Sequence, residues 1–595
     1  MDQLIESGWL SAFNVMKANY GLTDDAIGVF AINLRFNLDD IQTIASEAIT
    51  GGGDDKKCDV VYVDKEREIA VIAQCYMSPK QRPAAPSNKA ADLNTALTWL
   101  LSANLDTLPD TLKGRADELR SAINAGEIKQ FFIWYVHNLP GSTNVQSELR
   151  AVENSAKAAL ARYPLGQDIN IFAEEICATQ LDRLYMQADR TVIVTDEIVT
   201  TVPDAIELSA EDWTSVVTTV NGSWLHWLYQ QYQTDLFSAN LRGYLGSRES
   251  DSNINNGIKT TAQDQPQNFY VYNNGITALV LDYELGRRTR AGRKLRIKGI
   301  SIVNGAQTTG SLSSLPHTPS PDLQVAIRFV KAKKDAIVAD VVRYNNSQNK
   351  IQAADFRSTD SIQERLRTEF KPIPDAEYEG GRRGGASDAI KRTKFTLPSY
   401  TVGQSLAAFH GDPVMAYDKK SELWTNERDY RHIFTDRTTA RHIVFCYSLL
   451  SAINDRKLDL SQKQKADPAS LTSIENLSLA FLNKKGANYL LVHVISQCIE
   501  TILGRPIPNR FDLHFTENVS PDTAATFWLP IVEMMLSLSN QLENAFSRNR
   551  ISNESIKAVP NFVGVVDSIS GLQKPTFDTF ASHVQLGHGP GRNAL

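Results

Sequence analysis

Two segments in the middle of the chain restrict its fold most, because each runs from an apolar, strand-like stretch directly into an Asn-Gly pair. The first is FYVYNNGIT at residues 269–277 and the second is IVNGAQTT at 302–309, and a third amide-rich cluster, NNSQN, follows at 345–349. Glycine after asparagine permits a positive φ and a close approach of the backbone. A single Asn-Gly pair between apolar runs is usually a hairpin turn. Three such clusters at strand ends favour a recognition surface, since amide side chains donate and accept hydrogen bonds without charge.

The composition is that of a soluble globular protein with several domains. A chain of 595 residues predicts three or four domains, and its contents of 42% hydrophobic and 22% charged residues are ordinary for globular proteins. The net charge of −6 provides no long-range attraction to nucleic acid, so a nucleic-acid site would have to be a local basic patch.

The cysteines and the apolar runs indicate a location in the cytoplasm. The five cysteines form no CxxC pair and none lies near a histidine at zinc spacing, which predicts reduced thiols. The first residues lack the pattern of a signal peptide, and no run of 18 apolar residues occurs, so we expect no membrane segment.

The predicted elements divide the chain into three regions. Residues 1–205 alternate between strands (58–63, 69–76, 130–136 and 169–173) and helices (89–104 and 144–162), which is an α/β pattern. Residues 206–400 mix strands (269–283, 295–303 and 323–331) with helices (336–345 and 360–370), which is an α+β pattern. Residues 401–595 show long helical periodicity. The predicted fold class is therefore multidomain α/β and α+β, with a mainly α-helical C-terminal region.

The amide-rich segments belong to a longer ordered series of motifs. FSANLR (237–242) and NNGIKT (255–260) precede YNNGIT and IVNGAQT, and the NNSQN cluster and FRSTD (356–360) follow them. In this order and spacing, residues 225–425 resemble the abortive-infection phage-resistance (AIPR) family of bacterial defence proteins. The resemblance implies a central α+β AIPR domain and a role in antiphage defence. Partner defence proteins and a homo-oligomer are further expectations.

The predicted hairpin at residues 58–76 carries a second resemblance. Asp59 begins its first strand and Gln74 lies on its second, which resembles the PD-(D/E)xK nuclease-like domain in the variant where Gln replaces the second acid. Such a restriction-endonuclease-like α/β domain often lies N-terminal to the AIPR region. The resemblance implies Mg²⁺ bound by Asp59, Gln74 and Glu47, the last on the preceding helix, and hydrolysis of phosphodiester bonds. In such sites oxygen ligands hold the metal ion while a lysine stabilises charge on the phosphate.

The lysine position of that pattern is occupied by Tyr76. A phenol is neutral at pH 7 and is a poor substitute for an ammonium group. Lys80, four residues on, could return to the site from the following loop, and we assign it to the catalytic set. Lys56 or Lys57 could also supply the charge from beside Asp59. If no lysine reaches the site, the domain binds nucleic acid without cutting it.

A local basic patch at residues 378–394 has five Lys or Arg residues against two acidic ones. Such side chains on a glycine-rich loop can grip phosphates, although the same composition suits a solvated surface loop. Asn and Gln read adenine, and Tyr270 and Tyr272 could stack on bases, while Phe269 and Val271 alternate with them on a face expected to be core. The predicted nucleic-acid or ligand-binding residues are Arg242, Asn273, Asn274, Asn304, Gln307, Asn345, Gln348, Arg382 and Arg383.

Three functions are compatible with these residues. The first is an antiphage nuclease that uses Mg²⁺ and acts on DNA in preference to RNA. The second, favoured by Tyr76, is a catalytically degenerate nucleic-acid or nucleotide sensor or scaffold that acts through a partner. The third is an enzyme that acts on a small nucleotide through the amide clusters. The sequence contains no P-loop, GxSxG elbow, HExxH motif or Rossmann glycine fingerprint, which excludes those enzyme classes.

Overall fold

The computed structural model describes residues 8–38, 40–50, 55–189, 192, 194–232, 236–237, 249–334, 337–338, 341, 357, 360–380 and 393–587, with the backbone alone at 187–189 and 249–256. Within these ranges the chain is a mixed α/β protein with several sheets and a helical C-terminal region. In this part of the chain, no helix combines the length and the apolarity that a membrane span requires.

The N-terminal region contains a four-stranded sheet. Its strands, in spatial order, are β1 (Val60–Asp64), β2 (Ile69–Tyr76), β3 (Gln130–His137) and β4 (Asn170–Ile176). β1 and β2 form the predicted antiparallel hairpin, whereas β3 runs parallel to β2 and β4 parallel to β3. All eight residues of β3 are buried, which explains its continuous apolar sequence.

Helices cover both faces of this sheet. One face packs against α1 (Gly8–Tyr20), α2 (Ile27–Phe36), α3 (Ile41–Ala48) and α8 (Ala178–Asp189), and the other against α4 (Ser87–Ala91), α5 (Leu93–Leu101), α6 (Asp110–Asn124) and α7 (Thr143–Leu160). Alternation along β3 sends Phe132 and Trp134 into the first core and Phe131, Ile133 and Tyr135 into the second. The strands and helices predicted for this region are confirmed, with α4 and α5 in place of one helix at 89–104.

The central region is built on a seven-stranded sheet. Its strands are β5 (Val194–Val202), β6 (Ala205–Ser209), β7 (Trp213–Asn221), β8 (Ile276–Leu279), β9 (Asp282–Thr289), β10 (Gly292–Asn304) and β11 (Gln324–Ala332), in the order β5-β10-β8-β11-β7-β6 with β9 also paired to β10. β5 precedes the domain boundary expected at residue 205, yet it pairs with β10 of this sheet. The division into domains at 1–205, 206–400 and 401–595 stays a prediction.

The helices of this region are α9 (Gly222–Tyr232), α10 (Glu249–Asp264), α11 (Phe269–Tyr272), α12 (Ala306–Ser313) and α13 (Ser361–Phe370). The strands predicted at 295–303 and 323–331 and the helix predicted at 360–370 are confirmed, and the helix predicted at 336–345 lies mostly outside the described residues.

The start of the strand predicted at 269–283 is wrong, because residues 269–272 form the helical turn α11. Pro266 opens a 3₁₀ turn that leads directly into α11, and the backbone N–H of Asn273 closes it on the Phe269 carbonyl at 3.1 Å. Proline at the start of a helical turn outweighs the strand preference of a Phe-Tyr-Val-Tyr run.

The C-terminal region is helical, as predicted, around one large apolar core. Its helices are α14 (Ser399–Phe409), α15 (Pro413–Asp418), α16 (Glu422–Thr425), α17 (Glu427–Ile433), α18 (Ala440–Ala466), α19 (Ser473–Leu482), α20 (Ala487–Gln497), α21 (Ile499–Leu503), α22 (Pro521–Ser537) and α23 (Val559–Ser582). Two short strand pairs accompany them, β12 (Glu377–Tyr378) with β13 (Thr396–Leu397) and β14 (Leu513–Phe515) with β15 (Val584–Leu586).

The C-terminal helices pack directly on the N-terminal α/β region. Thr401 Oγ1 donates a buried hydrogen bond to Asp40 Oδ2 at 2.7 Å. Lys485 Nζ lies 2.7 Å from Glu118 Oε2, and both side chains are largely buried. Buried polar contacts of this kind fix the relative position of two surfaces, because a broken one leaves a charge or donor unpaired.

Candidate functional site

An acidic pocket of about 440 Å³ lies where the start of β1 meets the end of β2. Five aspartates and two lysines line it, which gives a formal net charge of −3 with every group ionised, and we name it the Asp59 pocket. Its charged residues are Asp24, Asp25, Asp55, Asp59, Asp92, Lys57 and Lys89.

Two of these aspartates form ion pairs with lysines that do not line the pocket. Lys17 Nζ lies 2.7 Å from Asp24 Oδ1, and Lys465 of α18 forms an ion pair with Asp25. A helix of the C-terminal region therefore reaches the edge of the pocket.

The structure brings the predicted residues Asp59 and Gln74 into contact. The backbone N–H of Asp59 donates to the Ala73 carbonyl at 2.8 Å, which extends the β1–β2 ladder by one residue. Asp59 Oδ2 accepts hydrogen bonds from the backbone N–H of Cys75 at 2.7 Å and from Gln74 Nε2 at 2.5 Å. Gln74 Oε1 is buried and has no hydrogen-bond partner among the described residues. An orphaned carbonyl oxygen of this kind is costly unless a cation or a water molecule binds it.

The environment of Asp59 disfavours its charged form. Burial raises the pKa of this carboxyl group to about 7, and the neighbouring Asp55 also raises it, against the Cys75 N–H and Lys89, which lower it. A carboxyl group with this pKa is half protonated at neutral pH. A cation that binds the carboxylate would therefore displace a proton.

The turn that precedes Asp59 has a strained backbone. Lys56 and Lys57 both adopt left-handed conformations, with φ of 51° and 68°. The backbone N–H of Lys57 donates to Asp55 Oδ1 at 2.9 Å, which holds Asp55 within the turn. Consecutive left-handed residues other than glycine are uncommon, and such strain is concentrated at functional sites.

Lys89, which the sequence pattern does not single out, lines the Asp59 pocket, and its charge lowers the pKa of Asp59. It lies on α4, and its Nζ is 5.4 Å from the centroid of the Tyr76 ring. The predicted Lys80 is exposed and is not part of the lining, while Lys57 lines the pocket but lies 3.8 Å from Asp92. The alternation of side chains along a strand identifies only residues of that strand, so it could not identify Lys89 on the following helix α4.

Glu47 lies away from the Asp59 pocket. Its Oε1 is 3.4 Å from Nδ2 of Asn488 on α20, and its backbone carbonyl accepts a hydrogen bond from Arg115 Nε at 2.7 Å. Lys56 also has another neighbour, since its Nζ lies 4.7 Å from the centroid of the Trp99 ring. The place of Glu47 in the metal set stays a prediction.

The oxygen donors of the Asp59 pocket fit Mg²⁺. The carboxylates of Asp55 and Asp59 and the orphaned amide oxygen of Gln74 are hard ligands of the kind that Mg²⁺ prefers, and one or two carboxylates suffice beside water. The raised pKa of Asp59, which is caused first by burial and to a smaller extent by the Asp55 carboxylate, fits the same interpretation, because a bound cation would stabilise the buried charge and reduce the repulsion.

Two of the three amide-rich motifs also lie side by side. β8 and β10 are antiparallel neighbours, and Asn304 pairs with Thr277 across them. Gly305, the N-cap residue of α12, has a φ of 98°, and a Cβ atom there would lie 2.6 Å from Ile276 Cγ1. Glycine is therefore required where the IVNGAQT motif touches the YNNGIT motif. Gln307 lies half-buried in the first turn of α12.

The side chains of the YNNGIT motif have different roles. Asn273 Nδ2 donates to the Phe269 carbonyl at 3.3 Å, so it caps α11, whereas Asn274 is exposed. Tyr270 and Tyr272 are 53% and 63% exposed. Val271 is 72% exposed as well, which corrects the expectation that it shares a buried face with Phe269, because a helical turn does not alternate as a strand does.

The other predicted binding residues, Arg242, Asn345, Gln348, Arg382 and Arg383, lie outside the described residues. The third amide-rich cluster and most of the basic patch at 378–394 lie there with them.

A family model described as AIPR protein matches residues 237–555. The chain belongs to the AIPR family. The match extends beyond the resemblance at 225–425 into the helical C-terminal region, and it does not include the Asp59 pocket. Membership of the AIPR family is consistent with antiphage defence by abortive infection. A comparison with curated proteins finds no match, and neither does a comparison with solved structures.

Proposed function

We propose that this AIPR protein acts in antiphage defence as a Mg²⁺-dependent nuclease that hydrolyses phosphodiester bonds in the Asp59 pocket. The supporting observation is that Asp59, Gln74 and Lys89 line one pocket, where Gln74 donates a hydrogen bond to the Asp59 carboxylate and the charge of Lys89 acts on it. Metal-dependent phosphodiester hydrolysis needs oxygen ligands for the metal ion and a cation that stabilises charge on the phosphate.

The charge of the pocket explains the need for a divalent cation. Even when Lys17 and Lys465 are counted, the aspartates of the pocket outnumber the lysines, and this excess of negative charge repels a phosphodiester, which is itself an anion. Asp55, Asp59 and Gln74 would hold Mg²⁺, which when bound offsets this charge, polarises the phosphate and lowers the pKa of a water molecule. The Cys75 N–H and the Gln74 amide fix the orientation of the Asp59 carboxylate before any cation binds.

Lys89 takes the role that the sequence pattern would give to a lysine at position 76. Its ammonium group can donate a hydrogen bond to a phosphate oxygen and stabilise the charge that develops there. The Tyr76 ring, 5.4 Å from Lys89 Nζ, orients the lysine through a cation–π contact. In this proposal Tyr76 positions the cation and does not replace it.

The paired amide motifs of the central region would hold the nucleic acid. Tyr270 and Tyr272 are exposed and can stack on bases, and Asn274 and Gln307 can hydrogen-bond to base edges. Stacking tolerates any base, and amides add no charge, so this surface suits a chain without a basic excess. We keep DNA as the expected substrate in preference to RNA.

Tyr76 supports a second candidate function, a sensor or scaffold that binds nucleic acid or a nucleotide without cutting and acts through a partner. In that case Lys89 would only offset part of the negative charge of the pocket, and no cleavage would occur under any divalent metal ion.

The test is incubation of the full-length protein with plasmid DNA and with RNA, in Mg²⁺ or Mn²⁺. We expect cleavage that Asp59→Ala abolishes and that Lys89→Met slows by about 100-fold or more, since removal of one charge-stabilising group costs about that much. Lys80→Met is the matched control and should cut at the rate of the unaltered protein. Cleavage at an unchanged rate by Lys89→Met would refute the role of that residue. Binding without cleavage in either metal would refute the nuclease and support the sensor.

A further inference from the structure

Three metal-ligating atoms meet in the core of the C-terminal helical region. His442 and Cys446 lie four residues apart on α18, and His410 directly follows α14. The Nε2 atoms of His410 and His442 are 2.9 Å apart, and Cys446 Sγ is 3.4 Å from His442 Nε2. The three ligand atoms all lie within 4.8 Å of one another, which is close enough for one ion to contact them all.

A backbone contact determines the tautomer of His442. Its Nδ1 lies 2.9 Å from the Leu513 carbonyl oxygen, and because a carbonyl can only accept, Nδ1 must carry the hydrogen. Nε2 of the neutral ring therefore holds the lone pair. An imidazole whose other nitrogen donates to a backbone carbonyl is the usual form of a metal-bound histidine.

Without a metal ion, the lone pair of His442 has two competing donors. Nε2–H of His410 and S–H of Cys446 both lie within hydrogen-bonding distance of the same atom. One lone pair accepts only one of them well. With an ion at the centre, His410 would carry its hydrogen on Nδ1 in place of Nε2 and Cys446 would lose its thiol proton, so that each of the three side chains contributes its own lone pair and the competition disappears.

The surroundings suit a closed site with one accessible side. His442 and Cys446 are fully buried. His410 is partly exposed, and its ring stacks on Phe511 with centroids 3.7 Å apart and an interplanar angle of 12°. Burial favours the neutral imidazole, which is the form that binds metal ions.

We propose that His410, His442 and Cys446 bind one Zn²⁺ ion. Two imidazole nitrogens and one thiolate are a donor set that zinc prefers, with water completing the tetrahedron. On binding, the Cys446 thiol releases its proton to solvent and the sulfur bonds to the ion. The site joins the end of α14, the helix α18 and, through the Leu513 carbonyl, the strand β14. The bound ion would therefore stabilise this region independently of the Asp59 pocket.

These residues correct an expectation drawn from the sequence, namely that no cysteine lies near a histidine at zinc spacing. His442 and Cys446 are a helical i, i+4 pair, so they share one face of α18. The third ligand, His410, lies on another element 32 residues before His442, which a linear spacing rule does not detect.

The experiment measures zinc in the full-length protein. After dialysis against buffer without chelator, elemental analysis should find about one zinc per chain, and Zn²⁺ added to chelator-stripped protein should raise the Tm. Cys446→Ser should lose the zinc and the Tm response. Cys498→Ser, which alters another buried cysteine of the same region, should keep both.

Two results would overturn the proposal. One is an unaltered protein that holds no zinc and shows no Tm response to it. The other is a Cys446→Ser protein with the zinc content of the unaltered chain. If Cys446→Ser fails to fold, His410→Gln is the alternative variant, since this side chain is partly exposed, and it should lose the zinc. Cobalt provides a spectroscopic check, because its thiolate charge-transfer band should appear in the unaltered protein and in Cys498→Ser.

Discussion

Replacement of Asp59 by asparagine should stabilise the N-terminal region at alkaline pH while it abolishes the proposed activity. The asparagine Oδ1 can accept the hydrogen bonds that the Cys75 N–H and Gln74 Nε2 donate to Asp59 Oδ2. Its Nδ2 group can donate to the neighbouring Asp55 carboxylate. The variant therefore keeps the local contacts and loses only the buried charge.

The magnitude follows from the two pKa values of Asp59. Because its pKa is about 7 in the folded chain and 3.8 in its ordinary state, the folded chain keeps a proton that the unfolded chain releases. The free energy of unfolding is therefore highest below pH 4, falls as the pH rises towards 7, and stays low above it. At 1.36 kcal/mol per pH unit, the charge costs about 4 kcal/mol above pH 7 and about 2 kcal/mol at pH 5.

Hydrogen exchange of the β1–β2 hairpin, read by mass spectrometry, measures this free energy locally. Asp59→Asn should slow exchange strongly at pH 8 and less at pH 5. Saturating Mg²⁺ should slow exchange in the unaltered protein but not in the variant. An equal effect of the variant at both pH values, or a loss of protection at pH 8, would refute the argument.

Asp64→Asn is the matched control, since Asp64 is a buried carboxylate at the other end of β1. Burial raises the pKa of Asp64, but Lys420 and Arg67 outweigh this effect and hold the pKa below its ordinary range. Because its folded pKa is lowered, Asp64 contributes stability above its unfolded pKa, and that stability is lost as the pH falls. Asp64→Asn should therefore accelerate exchange at pH 8, which is the opposite sign.

Two further predictions concern backbone and buried charge. Gly305→Ala should lower the free energy of unfolding by about 1–3 kcal/mol, because the residue has a φ of 98° and a Cβ atom there would clash with Ile276. Gly257→Ala, at an open position of α10, should instead raise it by about 0.5–1 kcal/mol. Thermal unfolding measures both changes. Glu47→Ala should destabilise the protein by up to about 3 kcal/mol, because it removes an anion whose charge acts on the buried Lys457. Lys457→Met, which removes the buried cation, should leave the stability unchanged or raise it. Urea unfolding measures the stability of both variants. Unchanged stability with lost Mg²⁺ binding in Glu47→Ala would instead support its predicted role as a metal ligand.

Local sequence patterns predicted the helices and strands whose hydrophobic pattern matches their burial in the fold. β3 is buried on both faces, so its unbroken apolar run indicated a strand, and α18 was recognisable from its helical periodicity over 439–453. The contact between Asp59 and Gln74 was also predictable, because adjacent strands of a hairpin bring such positions together. Residues 269–272 were mistaken for strand because their composition conflicts with the helical start that Pro266 sets.

The sequence by itself determined the three kinds of region, the hairpin that carries Asp59, and the ordered motifs of the AIPR family. Only the tertiary structure decided that Lys89 is the lysine beside Tyr76, that Glu47 faces the C-terminal helices, and that His410 meets the His442–Cys446 pair. Backbone propensity and hydrophobic period act over a few residues, and a sequence displays them directly. A functional cluster depends on how distant elements pack, and packing is decided by the whole core at once.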